Sequence, residues 1–328
     1  MTLSVIIPVY NVAQYLRDCL DSVVVAVRHA NIPVEVICVD DGSTDGSGKL
    51  LDEYVDAHDF GTPKFKVIHQ SNAGVSVARN VALDAANGEW VMMLDGDDSY
   101  EKEFLRRVAF AIEEHPDSDC FAYGFDVVSA NGKGLSEQPE PPKGAVTEGD
   151  DILGECPSGN WRYTHSSCDK VYRRSILEKY GIRYEPGIRL GEDTLFANKF
   201  LAVCGTVVVM NDEVGYKRRI RPGSAIESID AAGLACDLRR FQITFDWWNE
   251  HHKNGLLRTL RFWASVLPFL GKGSGCRKEC VDILLRSEVF DACVIPFLRR
   301  HGTIRGRFFS LLYQISPCIL RRKILEML

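Results

Sequence analysis

The chain is short of the features that would assign it to several common classes. No run reaches the roughly 18–20 consecutive apolar residues a bilayer-crossing helix needs, so no transmembrane segment is expected. The N-terminus has no basic region ahead of its first apolar run, Leu3-Ser-Val-Ile-Ile-Pro-Val-Tyr10, which argues against a signal peptide. Eleven cysteines are scattered singly. The nearest pair, Cys276 and Cys280, lacks the tight spacing of redox or zinc sites, so they read as reduced thiols of a cytosolic protein. No internal repeat is present. No glycine-rich fingerprint follows the first strand, which removes the dinucleotide-binding reading. A net charge of −6 and a pI near 5.8 argue against a nucleic-acid binder.

What is present is an ordinary globular composition, 45% hydrophobic and 26% charged, in a chain of 328 residues that can build a real core. The charge is uneven. Residues 251–328 hold 14 Lys/Arg against 5 Asp/Glu, so the remainder carries −15. A basic tail on an acidic body points to an anionic surface as partner, of which a membrane is the commonest.

The first hundred residues alternate strand and helix. Val5–Val9, Val34–Val39, Lys66–His69 and Trp90–Leu94 read as buried strands. Between them, Val12–Ala30, a segment through Leu50, Leu51, Tyr54 and Val55, and Val75–Ala86 carry apolar residues at helical spacing. Asn87-Gly88 is expected to close the last of these helices. Strands separated by helices and lacking hairpin signals predict an α/β fold with a mainly parallel sheet. Ligands of such sheets bind beyond the carboxyl ends of the strands. The polar clusters Pro8–Asn11, Asp40–Asp45, Gln70–Gly74 and Asp95–Asp98 all lie there, so they are expected to converge on one edge. Further on, Lys102–Glu114 reads as a helix, Cys120–Val128 and Thr206–Met210 as strands, and Ser129–Asp151 as a surface loop. From about residue 230 the pattern is helical, with Gly271–Gly275 as a linker.

Asp95, Asp97 and Asp98 put three carboxylates within four residues. Mutual repulsion would raise their pKa values, and a divalent cation removes that repulsion; Asp oxygens suit Mg²⁺ or Mn²⁺. A polar turn capping the next helix is the alternative. Asp40-Asp41-Gly-Ser-Thr-Asp45 partly spells a calcium loop, but a strand precedes it and the bidentate Glu is missing. It is not a P-loop either, because Gly42 and Gly48 enclose five residues and Leu50 stands where magnesium needs Ser or Thr. What remains is an aspartate at a strand end, placed to accept hydrogen bonds from a base or ribose.

Four blocks together, Val5-Ile-Ile-Pro-Val-Tyr-Asn11, Val39-Asp-Asp-Gly-Ser-Thr-Asp45, Asn72-Ala-Gly-Val-Ser-Val-Ala-Arg-Asn80 and Leu94-Asp-Gly-Asp-Asp98, resemble the family 2 glycosyltransferases in order and spacing. The resemblance implies a GT-A, Rossmann-like fold and inverting transfer of one sugar from a nucleotide diphosphate sugar, most often a uridine diphosphate sugar. It implies that Pro8 and Tyr10 line a nucleobase pocket together with Val9 and Asn11. Asp41 would pair with the base, and Asp40, Asn72, Arg79, Asp95 and Gly96 would complete the donor site. Asp95 and Asp97 would form the Asp-x-Asp motif, with Asp97 the direct ligand of Mn²⁺ or Mg²⁺. For Arg79 a helix-surface ion pair is the plainer reading.

Beyond residue 100 the match is looser. Cys168-Asp-Lys-Val-Tyr-Arg173 and Leu190-Gly-Glu-Asp-Thr-Leu-Phe196 resemble the acceptor half of the family, which makes Asp193 the expected catalytic base. Lys170, Glu192 and Arg219 are expected near the acceptor or the diphosphate. Glu192-Asp193 also reads as the acidic first turn of a helix. The implied division is a donor half over residues 1–100, an acceptor half over 101–228 and a helical extension over 229–328. In that extension Leu256–Leu270 and Phe308–Leu320 interleave arginines with large apolar residues. They fit either a membrane interface or amphipathic helices packed on the domain. The expected partners are the donor, a glycan or lipid-linked acceptor and an anionic membrane surface, with the protein cytoplasmic or peripheral on its inner face. A sugar nucleotidyltransferase would need a basic glycine-rich loop after the first strand, and Val9-Tyr-Asn-Val-Ala13 is not one. A degenerate nucleotide-sugar-binding module is the non-enzymatic alternative.

Overall fold

The computed structural model describes residues 1–57, 61, 63–132, 134–136, 146–149, 166–188, 191–220, 239–240, 243–244, 246–247 and 250–251. The chain divides into two compact units. The first comprises Met1–Gly187 with Asp193–Pro222, the second Ile188–Glu192 with Gly223–Leu328.

The first unit opens β1 (Leu3–Val9), α1 (Ala13–Ala30), β2 (Val34–Asp40), α2 (Ser47–Asp56), β3 (Lys64–His69), α3 (Val75–Ala85) and β4 (Trp90–Met93). It continues β5 (Ser99–Tyr100), α4 (Phe104–Glu114), β6 (Cys120–Val128), β7 (Gly134–Ser136), β8 (Val146–Glu148), β9 (Lys170–Arg173), α5 (Arg174–Lys179), α6 (Glu192–Leu201) and β10 (Thr206–Arg219). The strands form one sheet in the order β3-β2-β1-β4-β9-β6-β10-β5, with β7 on β6 and β8 on β10. The expected parallel sheet is present in β3-β2-β1-β4. β9 enters antiparallel between β4 and β6, so the whole sheet is mixed.

The central strands are apolar because both faces are covered. Every residue of β1 is buried, and α3 packs against β1 and β2 while α1 packs against α2 and α4. Fully burying a side chain such as Val5, Ile6, Ile7 or Val36 stabilises the fold by about 1.5–3 kcal/mol each. Outermost β3 instead alternates exposure and presents Lys64 and His69 to solvent, which discourages pairing with another chain. Pro8 sits within β1 at little cost. Ile6 turns its carbonyl to Leu94 and Val9 turns its own to Asp41, so the alternation aims the Pro8 nitrogen at the β4 side. Pairing with β4 has already ended there, at Ile6–Met93.

Three boundaries differ from expectation. Gly88 does not close α3 in a left-handed conformation. The helix ends at an extended Ala86, and the Asn87 and Gly88 amides donate to Glu35 Oε1 (2.6 and 3.0 Å). Gly88 also donates to Ser4 Oγ (2.8 Å), which donates in turn to Glu35 (2.6 Å). A Cβ on Gly88 would run into the Ser4 hydroxyl and backbone, so close approach requires glycine here. The segment read as a loop, Ser129–Asp151, contains β7 and β8, whose edges are satisfied by β6 and β10. The strand expected at Thr206–Met210 runs on to Arg219 through register shifts beside Val214, where Gly215 leaves room for the Phe104 ring.

In the second unit the described residues near 240–251 are helical. Thr244 donates to the Arg240 carbonyl (2.9 Å), and the Trp247 and His251 rings lie 4.3 Å apart. Leu256–Leu270, the Gly271–Gly275 linker and Phe308–Leu320 lie outside the described residues. Among the described residues no helix is long and apolar enough to cross a membrane. The five described cysteines are buried; burial pushes the Cys38 and Cys120 thiols up to about 12, leaving them unreactive.

Candidate active site

The carboxyl ends of β1 to β4 do converge. At the end of β1, Asn11 takes a left-handed conformation (φ 52°), which asparagine tolerates better than most residues. Its side-chain oxygen accepts from the Thr44 amide (2.8 Å), and its own amide donates to Ser43 Oγ (3.1 Å). The turn leaves Tyr10 half exposed while Pro8 and Val9 stay buried. The residue before α1, Val12, offers no capping side chain. The loop after β2 supplies the cap instead, with Asp45 accepting from the Ala13 amide (2.9 Å) and Ser47 Oγ from the Val12 amide (3.0 Å).

Asp41 is buried, and its carboxylate organises the next loop. Oδ1 accepts from Gln70 Nε2 (2.7 Å) and the Ala73 amide (2.8 Å), and Oδ2 accepts from the Gly74 amide (2.8 Å). Placed at the start of α3, this negative charge complements the positive end of the helix dipole. With two lone pairs per oxygen, Oδ2 keeps one acceptor position beyond these bonds. Gly42 (φ +71°) is required beside it, because a Cβ would lie 2.8 Å from the Asn72 amide nitrogen. Asn72 itself is exposed.

Asp40 Oδ1 accepts from the Ser43 amide (3.0 Å), and Oδ2 lies 3.0 Å from His69 Nδ1. The other ring nitrogen of His69 lies 3.0 Å from Asp52 on α2. Partial burial opposes ionisation of Asp40, but hydrogen bonds from Ser43 and His69 outweigh it and hold the carboxyl below its ordinary range. Hydrogen bonds to Asp40 and Asp52 raise the His69 pKa.

Arg79 is not on the helix surface. It points inward from α3, buried, and Nη2 donates to Asp95 Oδ1 at 2.7 Å while the guanidinium lies 5.0 Å from the Tyr184 ring centroid. Asp95 begins the turn that carries Gly96, Asp97 and Asp98. Gly96 is buried, and a Cβ there would approach the Pro8 carbonyl to 3.1 Å, so this glycine lets β1 and the turn close up. β10 grips the turn from its other side. Tyr216 donates to Asp98 Oδ2 (2.5 Å) and accepts from the Asp95 amide (3.3 Å), and the Arg219 amide donates to Asp98 Oδ1 (2.7 Å). The Arg219 guanidinium donates to the carbonyls of Asp97 (3.0 Å) and Ala130 (2.7 Å) and lies over Tyr15. Burial, then the charges of Asp95 and Asp97, push the Asp98 carboxyl well above its ordinary range.

The second group of expected residues lies on β9 and α6. Lys170 is fully buried, and its ammonium donates to the Ser166 carbonyl (2.8 Å) and to Asp169 Oδ1, so it is held inside the fold rather than at the surface. Burial pushes the Asp169 carboxyl up to about 6 against the pull of Lys170, and the charge of Asp193 adds to the rise. Asp193 sits in the first turn of α6, where Oδ1 accepts from the Thr194 amide (2.7 Å); Glu192 is the first residue of that helix. Phe196 docks the helix, stacking on Tyr184 (centroids 4.1 Å apart) and meeting Tyr172 edge-on (5.3 Å).

The structure thus brings together Asn11, Asp40 and Asp41 through one loop network, and Arg79 and Asp95 through an ion pair. Arg219 joins the Asp97–Asp98 turn through its backbone as well as its guanidinium. Asp98 stands in the carboxylate cluster read from the sequence, while the contacts of Tyr216, Tyr184, His69 and Asp169 join these groups from elsewhere in the fold. Among the described residues no three His, Cys, Asp or Glu side chains are arranged to hold a metal ion by themselves.

The Glycosyl transferase family 2 model matches residues 4–181, more than half of the chain. Similar curated proteins include the Uncharacterized glycosyltransferase EpsJ of Bacillus subtilis, 28% identical over 68% of this chain and 62% of that protein. Another is the Poly(ribitol-phosphate) beta-N-acetylglucosaminyltransferase TarS of Staphylococcus aureus, 29% identical over 70% of this chain and 37% of that protein. The chain therefore matches less than two thirds of the length of these relatives. Among solved structures, TarS 1–349 in complex with UDP-GlcNAc superposes with a TM-score of 0.71 over 99% of this chain and 91% of that one, at 23% identity, which shows the shared GT-A fold. The four motif blocks that meet at the sheet edge all fall within residues 4–181, and the chain belongs to glycosyl transferase family 2.

Proposed function

We propose that this chain transfers one sugar from a nucleotide diphosphate sugar, a uridine diphosphate sugar in the first instance, to a hydroxyl of a glycan or lipid-linked acceptor, with inversion at the anomeric carbon. The observation that carries the reading is the junction of two preorganised elements at one sheet edge. One is the Asp41 loop, its carboxylate anchored by Gln70, Ala73 and Gly74. The other is the Asp95–Asp98 turn, held by Arg79 from α3 and by Tyr216 and Arg219 from β10. TarS, a relative of this chain, has been solved with UDP-GlcNAc, which makes that nucleotide sugar the first donor to test.

In this reading Tyr10, half exposed beside buried Pro8 and Val9, packs on the nucleobase, and Asn11 and Asp40 keep the loop in shape. The remaining acceptor position of Asp41 Oδ2 takes a base N–H. Asn72 flanks the base, while Gly96 lets the diphosphate approach the turn. Residues 1–100 form the donor half, 101–228 the acceptor half and 229–328 an extension. Asp193 removes the proton from the acceptor hydroxyl as that oxygen bonds to the anomeric carbon. The bond to the diphosphate breaks as the new one forms, through an oxocarbenium-like transition state. Glu192 flanks the acceptor. Lys170 and Arg219 act by holding Asp169 and the Asp97 turn.

With the described residues alone, a divalent cation would fit this site with its coordination shared between the protein and the donor. Asp97 and Asp95 supply oxygens suited to Mn²⁺ or Mg²⁺, and Asp98, raised first by burial and then by the charges of Asp95 and Asp97, stands beside them in a turn carrying three carboxylates. The remaining ligands would come from the diphosphate, in keeping with the lack of a three-residue cluster among the described residues. When bound, the cation supplies Lewis-acid compensation for charge on the departing diphosphate.

The test is release of free nucleoside diphosphate from a panel of nucleotide sugars, with and without Mn²⁺, for the wild type and Asp97→Asn. Metal-dependent release from one donor, abolished in the variant with the fold retained, is expected. Equal release by Asp97→Asn would remove that residue from the metal site.

A further inference from the structure

His69 is an ionisable side chain beside the Asp41 loop that the proposed reaction leaves without a task. It closes β3, and in the parallel register it stands opposite Asp40, the last residue of β2. Asp40 leads straight into the loop of residues 41–46, and α2 starts at Ser47 on the far side of that loop. His69 Nδ1 lies 3.0 Å from Asp40 Oδ2, and Nε2 lies 3.0 Å from Asp52 Oδ1 on α2. The ring therefore ties the two ends of the loop to each other.

The chemistry of imidazole makes that tie conditional. Neutral imidazole has one N–H and one lone pair, whereas the imidazolium donates from both nitrogens. An ionised carboxylate only accepts, so both bonds exist together only while the ring is protonated. On deprotonation either tautomer turns a lone pair towards one carboxylate, and one end of the loop is let go. Asp52 is the end released, since its carboxylate is exposed and can turn to water whereas that of Asp40 is enclosed.

Packing around the tie is close. A Cβ on Gly48 would lie 2.5 Å from Asp40 Oδ2 and 3.6 Å from His69 Cε1. Glycine weakens a helix, and its place one turn before Asp52 on α2 is explained by the room it leaves for this pair. From Asp40 the connection runs into the loop. Oδ1 accepts from the Ser43 amide (3.0 Å), and Ser43 Oγ accepts from the Asn11 amide beside Tyr10 (3.1 Å). The next residue of the chain, Gln70, donates its backbone amide to the Asp40 carbonyl (3.0 Å) and its side chain to Asp41 (2.7 Å). The charged groups facing the His69 ring are Asp40 from β2 and Asp52 from α2, and both favour its protonated form. Elsewhere on α2, Lys49 pairs with Glu53 (3.3 Å) and Tyr54 donates to Asp21 (2.6 Å).

We propose that His69 is a positioning residue of the donor site, a proton-dependent tie across the loop of residues 41–46 that tightens nucleotide binding while its ring is protonated. This rests on Asp41 and its loop receiving the nucleobase. The tie is complete below the pH at which His69 of the folded protein titrates and is lost as pH rises through it, so nucleotide binding weakens with rising pH.

The test uses the full chain between about pH 5.5 and 8.5, the range in which histidines titrate. NMR follows the His69 ring, identified as the signal missing from His69→Gln, together with the Ser43 amide. Calorimetry measures affinity for UDP-GlcNAc, whose phosphates neither gain nor lose a proton in this range. The wild type should lose affinity about two- to five-fold, with its midpoint at the His69 titration and the Ser43 signal moving in step. His69→Gln should bind at the weaker level throughout, and Asp52→Asn should move the midpoint to lower pH. Wild-type affinity unchanged across the His69 titration, or a His69→Gln curve that still follows it, overturns the tie and leaves the donor reading intact. No binding of UDP-GlcNAc at any pH overturns the donor reading instead, and the Ser43 signal then decides the tie: movement in step with His69 sustains it, and its absence ends it.

Discussion

Replacing Arg79 by Met removes a charge that ties α3 to the Asp95–Asp98 turn, and the size of the effect can be worked from its surroundings. The guanidinium is 5% exposed and Asp95 is 37% exposed, with 2.7 Å between them. Fully exposed pairs contribute about 0.2–1 kcal/mol, and breaking a fully buried one costs about 3–5 kcal/mol. With one partner buried and the other partly hydrated, about 2 kcal/mol is expected from the pair. Loss of the cation–π contact with Tyr184 adds about 0.5–1 kcal/mol. Met keeps most of the aliphatic volume, so cavity formation is a minor part. Urea unfolding of Arg79→Met, Asp95→Asn and the double variant isolates the pair, because the cycle cancels what each change does alone. A coupling of about 1–2 kcal/mol is expected, with nucleoside diphosphate release reduced more than about ten-fold in Arg79→Met, because the Asp95–Asp98 turn loses its anchor on α3. A coupling below about 0.5 kcal/mol would show that Asp95 is held without Arg79, and the account of the turn given above would be refuted.

Three other outcomes are expected. His69 gains affinity for its proton on folding, so the stability it adds is fully present below its unfolded pKa near 6.5 and is lost as pH rises through the folded value. The stability difference between wild type and His69→Gln should therefore shrink as pH rises from about 6 towards 8 in urea titrations, from less than about 1 kcal/mol because the ring is half exposed; a difference independent of pH would contradict the bridge to Asp40 and Asp52. Gly88→Ala should lower stability by about 2–3 kcal/mol, since its methyl must displace Ser4 and break the Glu35 network, and a melting temperature within a degree of wild type would contradict that contact. The full chain should pellet with anionic vesicles and a chain lacking residues 300–328 should do so less; no pelleting by the full chain would end the membrane reading of the basic tail.

The alternation of strands and helices over the first hundred residues was legible because buried parallel strands read as short apolar runs and amphipathic helices as three-to-four spacing, both purely local signals. The edge at which the motifs meet was legible for a related reason: in a parallel sheet the carboxyl ends all lie on one side. The antiparallel insertion of β9 and the strands inside Ser129–Asp151 were not legible, since pairing partners are chosen by residues distant in sequence. Gly88 shows the same limit. It looked like a helix terminator, and its reason for being glycine is a serine eighty-four residues away.

Sequence alone determined the family and the motif blocks that place the chain in it, because those are set by residue type and spacing along continuous segments. Only the tertiary structure decided what each group faces. It turned Arg79 inward to Asp95, spent the Lys170 ammonium on Asp169, and gave Asp98 to Tyr216 and Arg219. Whether a charge meets solvent, a counter-charge or another carboxylate depends on burial and on contacts across the fold, and no local pattern encodes these.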